Sequence, residues 1–338
     1  MSKAAELAAL IGSQSSLANR NMIINGNMQV AQRSTSVAVT ASGFHTCDRW
    51  GIALSSDGRF TMSQESITDL EGFGKALKLD CTTADTSIAS NELLLLYQKF
   101  EGQFVQKMQK GFSTAKPVTV SFYVKGNANA TYVAELLDQD NSNRHINKTF
   151  SVTTSWSRVS LTFPGDTTGK LDSDNASSLR LNIWLHGGSD YTGGTLQTSW
   201  GSIVGANRAA GITSFFDSTD REFFITGVQM ELGEVATPFE TIPFGDNLAR
   251  CQRYYSKVQY SNWSGRVASG NAYYIHDGFR QTMRANPTAS ILSQSQSTFP
   301  TDRNFGDMTT NGVGTQCTAP SNADGAYWYT GIALDAEL

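Results

Sequence analysis

Strict alternation of apolar and polar residues recurs along this chain, and it limits what the chain can fold into. Residues 118–124 read Val-Thr-Val-Ser-Phe-Tyr-Val, and the same spacing returns over 158–163 and 179–186. Successive side chains of a β-strand point to opposite faces of its sheet. The alternation therefore predicts antiparallel strands that each bury one face and leave a more polar face outward.

A slip in this alternation predicts a β-bulge at Gly227. Phe223 and Ile225 share one face, whereas Val228 continues the apolar positions one step out of phase. An extra residue in one strand of a pair is the simplest explanation of such a slip. One short helix is predicted at 103–110. The other predicted strands are 23–30, 48–54, 59–64, 75–81, 92–100 and 132–137.

The turn-rich sequence that joins these strands predicts an all-β fold in two domains. About ten strands within 21–245 favour one antiparallel two-sheet sandwich of jelly-roll type. The segment 236–243 carries two prolines and is the predicted closing linker. A helical turn at 247–255 then opens a smaller β-sandwich, which occupies 246–338.

Residues 1–20 are predicted to form a short amphipathic helix. Its apolar stripe consists of Leu7, Leu10, Ile11 and Leu17. A helix of this length is not stable alone, so it must dock on its own domain, on sister chains or on another protein. We therefore expect an attachment or oligomerisation element.

Composition argues against several classes of partner. The net charge is −4 and the charged fraction is 17%, with lysine and arginine scattered singly, so no basic face for nucleic acid is expected. No stretch approaches the roughly 20 apolar residues of a membrane span, and the start lacks the features of a signal peptide. The spacing of the four cysteines matches no metal or redox motif, which predicts reduced, buried thiols.

Catalytic motifs are missing as well, so the chain is predicted not to be an enzyme. The histidines are far apart and show no HExxH spacing, and no GxSxG motif is present. Two loop clusters, Asp138 with Asp140 and Asp172 with Asp174, are the weak candidates for a metal site, where structural Ca²⁺ would bind. The alternative is that these residues only form turns, where aspartate is common. No other cofactor is expected.

The polar face of the strand at 179–186 is the sharpest candidate for glycan binding. An exposed aromatic ring among hydrogen-bonding groups is a suitable platform for a sugar. The alternative is that Trp184 packs beneath the following loop or against a neighbouring subunit. The candidate glycan-binding residues are Arg180, Asn182, Trp184, His186, Tyr191, Trp200 and Trp328.

Several long motifs occur in an order that resembles one family. They are Asn19-Arg-Asn-Met-Ile-Ile-Asn-Gly-Asn-Met-Gln-Val-Ala-Gln-Arg33, Asp48-Arg-Trp50, Ile225-Thr-Gly-Val-Gln-Met-Glu-Leu-Gly-Glu-Val-Ala-Thr-Pro-Phe-Glu240 and Cys251-Gln-Arg-Tyr-Tyr255. In these segments the chain resembles tail-fibre-like proteins of marine bacteriophages and prophages. The resemblance is strong over 19–260 and weak beyond.

The resemblance implies a virion protein with a jelly-roll domain similar to carbohydrate-binding modules. It also implies a homotrimer, assembled in the host bacterial cytoplasm, whose partners are other tail or head proteins. Two functions stay open. One is a tail fibre or tail-attached appendage subunit that recognises host surface polysaccharide during attachment. The other is a non-adhesive structural or decoration protein of the capsid or neck.

Overall fold

The computed structural model describes residues 19–301 and 303–338. The predicted apolar stripe Leu7, Leu10, Ile11 and Leu17 lies outside the described residues. The chain divides between Ile242 and Pro243 into two compact units, which are described separately below. Both are built from antiparallel strands, so the all-β prediction is confirmed.

The first unit contains twelve strands in two six-stranded sheets. In chain order the strands are β1 (Ser36–Val39), β2 (Gly43–Phe44), β3 (Gly51–Ser55), β4 (Arg59–Ser66), β5 (Lys75–Thr83), β6 (Leu93–Glu101), β7 (Val118–Gly126), β8 (Ala130–Asp138), β9 (His145–Val152), β10 (Ser157–Phe163), β11 (Ser177–Gly187) and β12 (Glu222–Leu232). Sheet A has the order β1-β4-β5-β12-β7-β10, and sheet B has the order β2-β3-β6-β11-β8-β9.

Strands β5 to β12 follow the path of a jelly roll. In sheet A they have the order β5-β12-β7-β10, and in sheet B the order β6-β11-β8-β9. The chain changes sheet at every connection except the β8–β9 hairpin, so the two sheets are wound together as a pair of Greek keys. The predicted jelly-roll sandwich is therefore confirmed.

The core of this unit lies between the two sheets and follows the alternation in the sequence. Val118, Val120 and Phe122 of β7 face Leu181 and Ile183 of β11 across it, and all five are fully buried. The predicted bulge is also present. The pairing of β12 with β7 shifts between Thr226 and Gln229, and Gly227 has a φ of +61°. The inward-facing side chains of β7 and β11 therefore form part of the core.

The predicted strand at 23–30 is wrong. Ile23 and Met28 are buried as expected, but the segment forms turns, with positive φ angles at Asn25 and Met28. The Asn25 side chain accepts the N–H of Val30 and donates to its carbonyl oxygen, which folds the segment back on itself. Ile23 and Met28 therefore pack in the core of the sandwich, although their segment belongs to neither sheet.

Helices are few and short in the described part of the chain. The helix predicted at 103–110 is a single turn, Gly102–Val105, followed by a 3₁₀ turn, Gln106–Met108. Two more short segments, Ser189–Thr192 and the 3₁₀ turn Gly205–Asn207, interrupt the connection from β11 to β12. No helix within the described ranges has the length and apolar character needed to cross a bilayer.

The second unit opens with the helix Phe244–Gln252 and contains two three-stranded sheets. Its strands are β13 (Tyr255–Val267), β14 (Ala272–Gly278), β15 (Thr288–Ser297), β16 (Asn304–Gly306), β17 (Gly312–Thr318) and β18 (Ala323–Asp335). The sheet orders are β13-β18-β15 and β14-β17-β16. Two small apolar clusters, one around Trp328 and one around Ile332, form its core.

Candidate functional site

The outer face of strand β11 collects most of the residues that the sequence analysis singled out. Strand β11 pairs with β6 on one side and with β8 on the other, so it lies in the middle of sheet B. Leu181 and Ile183 point into the core, and the alternate residues therefore point away from it. These residues are Arg180, Asn182 and Trp184, whereas the register shifts after Trp184, so that His186 pairs with the core residue Leu94 and lies on the core side.

Trp184 is not an exposed platform, which was one of the two arrangements that the sequence left open. Its side chain is fully buried and packs against Leu95 of β6 and Val133 of β8, with the Tyr191 ring 5.1 Å away between centroids. The connection 188–213 folds over these side chains. Cross-strand apolar neighbours on both sides make this burial favourable, so Trp184 follows the alternative in which it packs beneath the loop.

Backbone pairing holds this covering loop on sheet B. Asn147 and His145 of β9 donate their N–H groups to the carbonyl oxygens of Gln197 and Gly201, both at 2.9 Å. The N–H of Thr213 reaches the carbonyl oxygen of β8 residue Thr131 at 2.8 Å. The loop therefore belongs to the folded structure of this face.

A buried carboxylate, Glu135 of β8, ties the loop to the sheet. Arg208 of the loop donates Nε and Nη2 to the two carboxylate oxygens at 2.8 and 2.7 Å. Three further donors are the Asn182 amide at 2.6 Å, the Trp184 indole at 3.0 Å and the His145 ring at 3.1 Å. Sequence analysis missed Glu135, although one charged residue within the apolar run 132–137 was the available signal.

The hydrogen bonds to Glu135 keep it ionised. Burial by itself would raise the pKa of this carboxyl group, but hydrogen bonds from His145 and Arg208, the Arg208 charge and a hydrogen bond from Asn182 outweigh burial. They hold the pKa at about 2, against the ordinary 4.5. This charge is matched within the chain, and its role is to anchor the loop.

Arg180 lies at one end of this face. Among the described residues, no carboxylate forms an ion pair with it. Its guanidinium lies 3.9 Å from the centre of the Tyr97 ring, and burial lowers its pKa to about 10. Its Nε and Nη2 are buried without a hydrogen-bond partner. Nearby acceptors and donors are also unmatched, namely Asn182 Oδ1, Asn147 Oδ1 and His145 Nε2. The Arg180 end therefore contains buried polar atoms without hydrogen-bond partners in the described structure.

His186 lies near the other end of β11, on the core side, where its ring is 5.1 Å from that of Phe216. Its Nε2 lies 3.1 Å from Glu92 Oε2, and its Nδ1 lies 2.8 Å from Ser214 Oγ. Asp85 completes the group, because one ligand atom from each of Asp85, Glu92 and His186 lies within 4.8 Å of the others. Each of the three residues is at most 8% exposed.

The four predicted metal-binding aspartates do not come together in this way. Asp138 is fully buried and forms an ion pair with Lys110, so an ammonium group already neutralises it. Asp140 accepts the backbone N–H of Asp172 at 2.9 Å, and Asp174 accepts that of Ala176. Within the described ranges, Asp85, Glu92 and His186 are the group with three potential ligand atoms close together.

The two remaining predicted site residues are Trp200 and Trp328. Trp200 packs at the edge of the core, donates its indole N–H to the Pro164 carbonyl oxygen at 2.7 Å and lies beneath Lys110. Trp328 belongs to the second unit, where it is fully buried beside Arg303. Trp184 and Trp328 are both fully buried, so neither is an exposed ring, whereas Trp200 is half-buried.

Comparison with known proteins finds likeness in structure only. No protein-family model and no curated protein sequence matches this chain. Similar solved structures include the carbohydrate-binding module CBM4, at 11% identity and a TM-score of 0.33, covering 62% of this chain and 98% of that one. TmCBM61, solved with β-1,4-galactotriose, has 9% identity and a TM-score of 0.34, covering 64% and 100%.

A bacteriophage protein is also among these structures. The enzymatically active domain of tailspike protein 4 from bacteriophage CBA120 has 12% identity and a TM-score of 0.34. The match covers 63% of this chain but only 22% of the tailspike chain. At such identities and scores, these likenesses transfer no ligand, reaction or partner to the chain.

Proposed function

We propose that this chain is a non-enzymatic bacteriophage virion protein, a tail-fibre or appendage subunit that binds a host-surface glycan. The family proposal rests on the ordered motifs in 19–50 and 225–255. The binding site is the Arg180 end of the outer face of sheet B. The unmatched polar atoms around Arg180 are the observation that carries this site.

Sugars fit this end because their hydroxyl groups both donate and accept hydrogen bonds. The Arg180 guanidinium needs acceptors, whereas the free oxygens of Asn182 and Asn147 need donors. Each buried polar group left unpaired costs about 1–3 kcal/mol, so a ligand that supplies the partners is favoured. An apolar partner would leave these groups unpaired.

An acidic sugar fits Arg180 best. Its free Nε and Nη2 form the side of the guanidinium that grips a carboxylate with two parallel hydrogen bonds. Among the described residues, no carboxylate forms an ion pair with Arg180, in contrast to Arg208 on the same face. A uronic acid or another carboxylated sugar would supply the missing charge.

Binding of the full-length protein to an array of neutral and acidic oligosaccharides tests this proposal. Arg180→Ala should weaken binding to acidic glycans at least about tenfold, because the guanidinium supplies the charge-assisted contacts. Arg158→Ala is the matched control. Arg158 also lies over a tyrosine, Tyr123, at 5.9 Å, but on the outer face of sheet A.

The control should bind like the unsubstituted protein. Equal binding by the two variants would place recognition elsewhere on the chain, and no binding by the unsubstituted protein to any glycan would remove the adhesive function. The competing function is a non-adhesive decoration protein of the capsid or neck. It is favoured by the burial of Trp184 and Trp328 within the chain, which removes two rings that adhesion could have used.

The proposal includes a homotrimer attached to the particle through residues 1–20. Both parts derive from the sequence, the first from the family resemblance and the second from the apolar stripe at Leu7, Leu10, Ile11 and Leu17. Light scattering should give three times the 36.7 kDa chain mass. Deleting residues 1–20 should leave a folded protein that no longer enters virions, and normal incorporation would contradict the attachment role.

A further inference from the structure

We propose that Asp85, Glu92 and His186 form a binding site for one Zn²⁺ ion. The site joins the β5–β6 connection, which runs from sheet A to sheet B, to the distant strand β11. Asp85 follows β5, Glu92 immediately precedes β6, and His186 lies near the end of β11. This inference is independent of glycan binding, because Arg180 lies near the opposite end of β11 and on its outer face, whereas His186 lies on the core side.

The side-chain geometry suits a small cation. The three ligand atoms lie within 4.8 Å of one another, and Glu92 Oε2 is 3.1 Å from His186 Nε2. Ligand atoms of a tetrahedral zinc site are about 3.3–3.5 Å apart, given metal–ligand distances near 2.1 Å. Modest side-chain adjustments therefore bring the three atoms to coordination distance of one ion.

The charge of the group calls for a cation. Two carboxylates are buried together, and in the described part of the chain neither forms an ion pair with a lysine or arginine. Asp85 accepts hydrogen bonds from the Ser56 hydroxyl and from the N–H groups of Asp57 and Ser87, but these donors carry no charge, so the two buried carboxylates still repel each other. One imidazole cannot balance two carboxylates, whereas a divalent ion neutralises both.

Neighbouring groups already orient the ligands. Ser214 Oγ holds His186 Nδ1, which directs Nε2 towards Glu92, as an outer hydrogen bond does for a metal-binding histidine. The Ala89 N–H binds Glu92 Oε1 at 3.0 Å and leaves Oε2 facing the histidine. The Ser56 hydroxyl binds Asp85 Oδ2 at 2.7 Å. These hydrogen bonds therefore hold the three side chains in place when no ion is bound.

The ligand types select the metal. One imidazole nitrogen with two carboxylate oxygens matches the nitrogen and oxygen ligands of Zn²⁺. Calcium prefers six to eight oxygen ligands, and magnesium keeps several waters, so neither suits a buried group with a histidine. Because all three side chains are buried, the ion would serve the fold and tie the β5–β6 connection to β11.

Isothermal titration of the chelator-treated, full-length protein with ZnCl₂ tests the site. We expect one Zn²⁺ per chain and a rise of several degrees in Tm, with no comparable response to CaCl₂. Glu92→Gln and His186→Asn should each weaken binding about 100-fold or more, because each removes a ligand. His276→Asn is the control, since His276 is exposed on β14 and should leave binding unchanged.

Two results would overturn the site. One is the absence of stoichiometric zinc binding by the unsubstituted protein, which would mean that a shared proton, not a metal, holds the two carboxylates together. The other is unchanged binding by folded Glu92→Gln and His186→Asn proteins, which would place the zinc elsewhere. A non-thiol reductant keeps the four buried cysteines reduced throughout. Co²⁺ substitution gives a second readout, because a tetrahedral site produces intense visible absorption.

Discussion

Two buried carboxylate groups in the first unit differ in how their charge is balanced. Asp138 and Asp166 share the Lys110 ammonium, and Arg144 adds two hydrogen bonds to Asp166 at 2.8 and 3.0 Å. Asp85 and Glu92 have a histidine and uncharged hydrogen-bond donors beside them, and in the described part of the chain neither forms an ion pair with a lysine or arginine. The first group, here called the lysine cluster, carries its own cations. The second, here called the histidine cluster, does not.

The difference in charge balance shows which of the two clusters needs a ligand from outside the chain. Lys110 also donates to the carbonyl oxygens of Thr168 and Gly169, both at 2.9 Å, so it is fully used within the fold. The histidine cluster has comparable burial but lacks a permanent positive charge. A buried charge that the chain balances itself stabilises structure, whereas one left unbalanced marks a place for an ion or a proton.

Removing the cation of the lysine cluster should have the largest effect. Lys110→Met leaves Asp138 and Asp166 buried without their shared partner, which should lower the free energy of unfolding by about 3–5 kcal/mol. Urea denaturation at pH 7 measures it. Lys125→Met is the control, because the Lys125 partner Asp69 is half-exposed and such pairs contribute about 0–1 kcal/mol. Equal losses in the two variants would contradict the role given to Lys110.

The second prediction concerns pH and Glu135. The pKa of Glu135 is about 2 in the folded chain against an ordinary 4.5, so the folded state stabilises the ionised form of this side chain. The resulting stability is present above pH 4.5 and is lost as the pH falls towards 2. The difference of about 2.5 pH units corresponds to about 3 kcal/mol. Glu135→Gln should therefore flatten the acid limb of the stability curve.

Exposed Glu234 supplies the control for that experiment. Glu234→Gln should retain the steep loss of stability between pH 4.5 and 2. If Glu135→Gln retains it as well, the acid sensitivity comes from other carboxylates, and the five hydrogen bonds to Glu135 do not stabilise its charge as described.

Most of the first unit's framework could be predicted from the sequence. Alternation fixed which residues of β7 and β11 face the core, and the slip at Gly227 located the bulge, because a period of two is a local property. The strand predicted at 23–30 was wrong for the same reason. Burial of Ile23 and Met28 is visible locally, whereas the turn made by the Asn25 side chain is not.

The site was predictable only in part. The polar face of β11 followed from alternation for Arg180, Asn182 and Trp184, but a register shift after Trp184 places His186 on the core side. Whether that face is open depends on how the loop 188–213 folds back, which sequence spacing does not show. Lys110 with Asp138, and Glu92 with His186, are 28 and 94 residues apart, so neither pairing leaves a local pattern. For this reason the sequence left open whether Trp184 is exposed or packs beneath the loop.

A smaller effect is expected at the edge of the lysine cluster. Arg144→Gln removes two hydrogen bonds to Asp166 but leaves the Lys110 ion pair in place. Because Arg144 is partly exposed, its loss should lower the free energy of unfolding by about 1–2 kcal/mol. Comparison with Lys110→Met in the same urea titration gives the separate contributions of Arg144 and Lys110 to the free energy of unfolding. A loss as large as that of Lys110→Met would make Arg144 an equal partner.

The smallest effect is expected in the histidine cluster when no metal is present. Glu92→Gln removes one of two neighbouring carboxylates and keeps the side-chain shape, so it relieves repulsion while it weakens the contact with His186. The two changes oppose each other, and the free energy of unfolding of the chelator-treated protein should change by less than about 1 kcal/mol. Denaturation of both proteins with and without ZnCl₂ measures this balance.

With ZnCl₂ the same substitution should matter more, because only the unsubstituted protein gains stability from the ion. A large loss without metal, similar to that of Lys110→Met, would show that Glu92 and His186 already form a balanced ion pair. The two clusters would then be alike, and unbalanced charge would not mark a ligand site in this fold. A change that depends on zinc would instead confirm that the clusters differ in where their positive charge comes from.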